Sequence, residues 1–274
     1  MPIKKDTTGK RWVEMDLLLP GTPEQVWQAL ATGPGNTAWF VNAEIEPKPG
    51  GALRFDFGGG VKSSGEVTAW EPPHKLGYVE RDWSQGAPPC ATEITVDARS
   101  GGRCLVRMVH SLFTSSEDWD DQLEGFEDGW TGYFAVLRVY LTHFAGARAG
   151  SFMVMSYAHG DARAVWQRIA ERLGVLGANV GDRRSATDAP EAWSGVVEHV
   201  YQDARQRMMV FRVDAAAPGI ALLGACDGGV TSNAAAAPTS TVSLARYYYG
   251  DDLTALAAER DAMWREWLTD TLKA

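Results

Sequence analysis

The sequence predicts an α+β chain made of two related units, each a curved antiparallel sheet wrapped on a long C-terminal helix. Short segments that alternate apolar and polar residues precede one long stretch with an apolar stripe at helical spacing, Gln122 to Phe144. A run of small residues without a stripe, Ala145 to Gly150, follows it as the best candidate linker. The succession of strand, helix, strands and helix then recurs over the second half. A chain of 274 residues suits one large domain or two of ordinary size, so the expected units are residues 1–146 and 147–274.

In order, Arg11 to Leu19 reads as a strand ended by Pro20-Gly21. Thr22 is placed to N-cap a helix, with Pro23 at the first helical position and Gln25 completing a capping box. Val26, Trp27 and Leu30 form the apolar side of that helix. Gly33-Pro34-Gly35 is expected to stop it before a short apolar turn carrying Trp39 and Phe40. Gly51 to Phe57 alternates, with Leu53, Phe55 and Phe57 on one face and Arg54 and Asp56 on the other. Further strands are expected at Gly65 to Trp70, ended by Glu71-Pro72-Pro73, at Leu76 to Trp83, and at Thr92 to Asp97 and Arg103 to Phe113 around a hairpin turn at Arg99 to Gly102.

The long stretch is a helix by periodicity. At about 100° per residue, Phe126, Trp130, Tyr133, Leu137, Tyr140, Leu141 and Phe144 share one side, and Glu127, Thr131, Arg138 and Thr142 the other. Gly125, Gly129 and Gly132 flank the stripe. Each helical glycine costs up to about 1 kcal/mol against alanine, so close packing or room for a ligand should compensate.

The second half repeats this more loosely. Phe152 to Tyr157 reads as a strand, and Asp161 as the cap of a helix bearing Val165, Trp166, Ile169 and Leu173, ended by Gly174. Val26-Trp27-Gln28 recurs there as Val165-Trp166-Gln167. Strands follow at Gly195 to Tyr201, Gln206 to Val213 and Ser240 to Tyr249, with a long loop expected at Gly228 to Pro238. A final helix over Leu253 to Leu272 carries Ala257, Trp264, Trp267 and Leu268 on its apolar face. The expected order in both halves is β–αα–βββ–α.

A net charge of −9 argues against a nucleic-acid backbone as partner. The acid gathers at Glu117, Asp118, Asp120, Asp121, Glu124, Glu127 and Asp128, where a helix start favours carboxylates. Cys90, Cys104 and Cys226 are too few and scattered for a disulfide framework. No apolar run approaches spanning length, and no apolar segment follows the basic residues of the N-terminus. The expected setting is cytoplasmic, without membrane insertion.

Several segments of the first half together resemble one family. They are TPEQVWQAL (Thr22 to Leu30), AWF (Ala38 to Phe40), PGGALRFDF (Pro49 to Phe57), GEVTAWEPPHKLGY (Gly65 to Tyr78), TEITVD (Thr92 to Asp97), VHSLF (Val109 to Phe113) and GWTGYFAVLRVYL (Gly129 to Leu141). Over roughly residues 10–146 the chain resembles the activator of heat-shock-protein-90 ATPase homologue-like family, within the START/SRPBCC helix-grip superfamily. The second half looks like a diverged copy that lacks the EPP turn and the GW helix start. The resemblance implies an elongated cavity between sheet and helix. It also implies a function among lipid and hormone binders, polyketide cyclases and co-chaperone-like modules.

The residues themselves favour binding over catalysis. There is no P-loop, HExxH, GxSxG or DxDxDG motif, and His74, His110, His143, His159 and His199 lack metal-ligand spacing, so neither metal nor cofactor is expected. The polar candidates are His110 and Glu80. His110 shares a strand face with Met108, Val106 and Cys104, so it is either an acid–base group in an apolar pocket or a hydrogen-bonded residue near a strand end. Glu80 alternates with Leu76 and Tyr78, which would face it into the same pocket, but the favoured expectation is that a bulge turns it to water. Arg260 lies in the apolar stripe of the final helix, where it meets an anion, snorkels, or pairs across the domains. The expected ligand contacts are Trp39, Phe55, Tyr78, Met108, His110, Trp130, Phe134 and Leu137, around a small hydrophobic or amphipathic molecule. A chaperone partner docking on the acidic segment, and a cyclase- or hydrolase-like enzyme using His110, are the other two readings.

Overall fold

The computed structural model describes residues 3–7, 9–81, 83, 86–112, 114, 118–186, 188–215, 217–228 and 239–273, the side chains of 121–122, 124–128 and 215 excepted. Two compact units divide the chain, Met1–Ala147 and Arg148–Ala274.

The first unit runs β1 (Lys4–Lys5), β2 (Arg11–Pro20), α1 (Pro23–Ala31), α2 (Gly33–Thr37), β3 (Asn42–Ile45), β4 (Ala52–Asp56), β5 (Lys62–Glu71), β6 (Lys75–Glu80), β7 (Cys90–Arg99), β8 (Arg103–Leu112) and α3 (Asp120–His143). Its antiparallel sheet has the order β1-β2-β8-β7-β6-β5-β4-β3. From β3 to β8 the chain is a meander of neighbouring strands; β2 alone finds its partner far along the chain, pairing Val13 with His110.

Local chemistry sets the ends of the first helices. Thr22 Oγ1 accepts from the Gln25 amide at 3.3 Å, and Gln25 Oε1 from the Thr22 amide at 2.9 Å, the reciprocal capping box. Gly33-Pro34-Gly35 does more than stop α1. Thr32 closes that helix and caps the next, accepting from the Gly35 amide at 3.0 Å, and Pro34 sits in the first turn of α2 where its missing N–H is not needed. Trp39 is then tied back to α1, its Nε1–H donating to the Ala29 carbonyl at 2.9 Å.

Two strands of this unit carry no pattern in the sequence. β1 is a pair of exposed lysines, and β3 (NAEI) lies at the sheet edge with no buried face. The strand read from Leu76 to Trp83 spans Lys75–Glu80 instead, and the last strand ends at Leu112, with Phe113 outside the described residues. The long helix begins two residues earlier than its stripe suggests. Leu137, Tyr140 and Leu141 are buried on its apolar side, and Arg138 and Thr142 are exposed on the other; the side chains of Phe126 and Glu127 lie outside the described residues.

The second unit runs β9 (Ala149–His159), α4 (Ala162–Arg172), β10 (Arg183–Ala186), β11 (Trp193–Gln202), β12 (Gln206–Ala215), β13 (Gly219–Asp227), β14 (Thr239–Tyr249) and α5 (Thr254–Lys273). Its sheet order is β10-β11-β12-β13-β14-β9. Asp161 caps α4, accepting from the Ala164 amide at 2.8 Å. Between β9 and the next strand there is one helix, not two.

Further expectations about this half need correction, and β10 is a strand not expected from its sequence. Ala149 and Gly150 are not linker but the start of β9, paired with Tyr249 and Tyr248. Gly150 is required there, because a Cβ would stand 2.3 Å from the Leu253 carbonyl oxygen. Next, β13 was not expected: GIALLGACD is buried on both faces for most of its length, so it has no alternation to read. Finally, Arg260 finds its anion inside its own unit, with its Nε 4.0 Å from Glu191 Oε2. Residues 229–238 of the expected loop lie outside the described residues.

Both units are thus curved antiparallel sheets with a long C-terminal helix. Among the described residues no helix is long and apolar enough to cross a membrane.

Candidate functional site

The site of the first unit follows from one row of paired residues. Val67, Tyr78, Thr92, His110 and Val13 stand opposite one another across β5, β6, β7, β8 and β2. Residues in register point to the same face of a sheet, so Tyr78, Thr92 and His110 all point inward. The next inward row places Glu80 opposite Cys90, and Cys90 opposite Leu112. A shift of register in β5 between Val67 and Ala69 does not turn Glu80 outward.

These rows enclose a cavity of about 280 Å³ between the sheet and α3. Phe55, Tyr78 and His110 contribute to its wall from β4, β6 and β8, and Trp130, Tyr133 and Gly129 from α3. On a flat sheet β4 and β8, four strands apart, would be about 19 Å from each other at about 4.8 Å per step. That both line one small space shows how strongly the sheet curls. A second void of about 10 Å³ lies deeper, against Trp39, Met108 and Ile94.

The walls are largely aromatic. His110 stacks on Trp130 with ring centroids 5.8 Å apart and planes 12° from parallel, and Trp130 stacks in turn on Phe134 at 5.2 Å and 13°. Phe40 meets Trp130 at 4.7 Å, and it stands edge-on to Phe57 and Tyr133 at 87° and 88°.

Burial sets the electrostatics. His110 is fully enclosed, and loss of water lowers its imidazole to about 4, so the ring is neutral at physiological pH. Its Nδ1 lies 2.9 Å from Thr92 Oγ1. Glu80 is also desolvated, which raises its carboxyl above the usual range, although the hydroxyl of Ser63 donates to Oε1 at 2.5 Å and opposes the shift. Burial, reinforced by the nearby Glu80 charge, raises the Tyr78 phenol and the Cys90 thiol. Cys90 is therefore a protonated, unreactive thiol. Lys62, at the mouth, reaches out to Asp56 at 3.2 Å.

Of the ligand contacts expected from the sequence, Phe55, Tyr78, His110 and Trp130 line the cavity together. Trp39 and Met108 border only the deeper void, while Phe134 and Leu137 are buried behind the wall. Glu80 joins His110 at the same space. Phe40, Phe57, Ser63, Trp83, Cys90 and Tyr133 also line it without having been singled out. Phe57 and Tyr133 carried a signal, since they continue the alternation of β4 and the stripe of α3. Trp83 carried none, because it lies in a loop between β6 and β7.

Among the described residues no three His, Cys, Asp or Glu side chains gather into a group that could hold a metal ion. Of the acidic segment before and within α3, Asp120 is engaged by the buried guanidinium of Arg11. Glu117 and the side chains of Asp121, Glu124, Glu127 and Asp128 lie outside the described residues.

Residues 20–142 match the family described as Activator of Hsp90 ATPase homolog 1-like protein. No curated protein matches the chain. Similar solved structures include the di-domain ARO/CYC BexL from the BE-7585A biosynthetic pathway, at 12% identity over 96% of this chain and 99% of BexL with a TM-score of 0.46. DynU16, a protein of the dynemicin biosynthetic locus, is 18% identical over 95% of each chain with a TM-score of 0.43. A Mesorhizobium loti protein is 24% identical over 49% of this chain and 98% of its own, with a TM-score of 0.45.

Proposed function

We propose that the first unit, whose residues 20–142 match the family described as Activator of Hsp90 ATPase homolog 1-like protein, is a binding module. It holds a small, largely apolar molecule between its sheet and α3. The observation that carries this reading is the aromatic cavity of about 280 Å³, to which the sheet contributes hydrogen-bonding groups at Tyr78, Glu80, Ser63 and His110. Apolar walls with a few converging polar groups are the usual make-up of a small-molecule site. Native mass spectrometry of the freshly purified chain tests it: a co-purified mass that is lost from Trp130→Ala supports the reading. A chain that carries nothing and binds no member of an amphipathic small-molecule panel by calorimetry removes it.

A second reading is favoured by one observation. His110, neutral and basic in kind, and Glu80, its carboxyl raised, share the cavity. That pairing suits proton transfer on a held molecule. Turnover lost from His110→Asn with affinity retained would favour catalysis over simple holding. The reading of a chaperone partner rests on the family's description alone.

The same proposal takes residues 1–146 and 147–274 as two copies of one fold in a cytoplasmic protein. Val26 and Val165, both fully buried, mark the repeated helix.

A further inference from the structure

We propose that the cavity of the first unit selects an organic cation: a substituted ammonium on a small apolar or aromatic body, its charge held between aromatic faces and Glu80. The inference rests on the cavity being a binding site and names the chemistry of its occupant.

The first support is the shape of the aromatic wall. Phe40 stands nearly perpendicular to both Phe57 and Tyr133, and Phe55 makes 63° with Tyr78. Beside the His110–Trp130 stack, rings at such angles bound the space from several directions. A positive charge inside such a space meets several π faces at once, which is the arrangement that attracts ammonium groups.

The second support is the sign of the charge. Among the described residues, Glu80 is the one carboxylate that lines the cavity. The one lining side chain of positive charge among the described residues, Lys62, keeps its ammonium well exposed and pairs with Asp56. His110 is neutral inside the wall. Among the described residues the interior therefore offers aromatic rings and a carboxyl, and the ammonium of Lys62 is turned out to Asp56.

The third support is what each kind of occupant would do to Glu80. A neutral apolar molecule leaves an ionised carboxylate desolvated without a counter-charge and so favours its protonated form. An anion is repelled by it. A cation gives the ionised carboxylate a partner, and Ser63 takes only part of the group's accepting capacity.

The test compares benzyltrimethylammonium with its carbon isostere, neopentylbenzene, by calorimetry or ligand-observed NMR on the full chain. The two have the same shape and differ in charge. The expected result is tighter binding of the cation by about tenfold or more, with Glu80→Gln removing that preference while the isostere's affinity is kept. Equal or tighter binding of the isostere by the unaltered chain overturns the cation inference and leaves the cavity as a binding site. Binding of neither probe overturns the cation inference, and the binding-site reading falls with it only if the amphipathic panel fails as well. The wild-type comparison stands without the variant, so a Glu80→Gln chain that fails to fold does not protect the proposal. A preference that survives in a folded Glu80→Gln chain also overturns it.

Discussion

Both units lay an inward strand face against a closing helix, yet they fill that interface differently. The inward residues of β8 read Val106, Met108, His110 and Leu112; those of β14 read Val242, Leu244, Arg246 and Tyr248. In the first unit the polar member is neutral and borders open space. In the second it is a guanidinium, 1% exposed, locked into an ion pair. Arg246 Nε donates to Glu191 Oε1 at 3.0 Å, and that oxygen also accepts from Tyr248 at 2.6 Å and from Trp264 of α5 at 3.1 Å. Arg246 further lies over the Tyr248 ring at 4.7 Å. Burial pushes the Glu191 carboxyl up, but the Arg246 charge and these hydrogen bonds outweigh it and hold it below its usual value. The lesson is that one fold uses the same face for a hollow or for a clamp, depending on whether the polar side chain there finds its counter-charge within the unit.

The largest expected effect tests the clamp. Glu191→Ala strands a buried guanidinium and should destabilise the second unit by about 3–5 kcal/mol, the cost of breaking a buried pair from one side. Hydrogen exchange at the β13 and β14 amides reads this directly. If their protection is unchanged, the clamp is not what holds that interface and the comparison fails.

Acid separates the units next. The His110 pKa of about 4 lies below its ordinary 6.5, so the unfolded chain binds the proton more readily than the folded one. Stability is thus full above pH 6.5 and falls as pH drops toward 4, by up to about 3 kcal/mol at about 1.4 kcal/mol per pKa unit. Glu80 acts in the opposite sense: its raised carboxyl contributes stability below the ordinary carboxylate range that is lost as pH rises through its folded value. The readout is therefore the difference between His110→Gln and the unaltered chain across denaturant titrations from pH 7 to 4, and that difference should narrow on acidification. The depressed Glu191 contributes above its ordinary value of 4.5, a contribution lost only as pH falls through its lower folded value. The first unit should yield to acid before the second.

A smaller effect is expected at Thr92. Thr92→Val removes the hydroxyl 2.9 Å from His110 Nδ1 and should cost about 1–2 kcal/mol of stability in chemical denaturation. A neutral result would mean that the Thr92 hydroxyl does not position His110.

The smallest change separates space from stability. A Cβ on Gly129 meets no atom within 4 Å, and Gly129 lines the cavity. Gly129→Ala should leave stability equal or raise it by up to about 1 kcal/mol, from better helix propensity. Ligand affinity should fall, because the methyl group enters the cavity. Equal affinity in calorimetry would place the ligand elsewhere.

Much of this was legible beforehand because it rests on local rules. Thr22-Pro23-Gln25 announced a capped helix, and the stripe from Trp130 to Leu141 announced a helix in need of a curved partner. The alternation of Cys104 to His110 put His110 inside. The rest depended on pairing. Cys90 and Glu80 become neighbours only through the register of β6 with β7, and Ser63 reaches Glu80 from a strand seventeen residues earlier in the chain. Glu191 sits in a loop whose sequence gives no hint that Arg246, fifty-five residues on, will need it.

By itself, then, the amino-acid order determined the elements whose cause lies within a few residues: caps, turns, the strand faces and the striped helices. Tertiary structure decided what those faces enclose. Whether an inward polar side chain borders a cavity or closes an ion pair depends on partners that only sheet register and curvature bring within hydrogen-bonding distance.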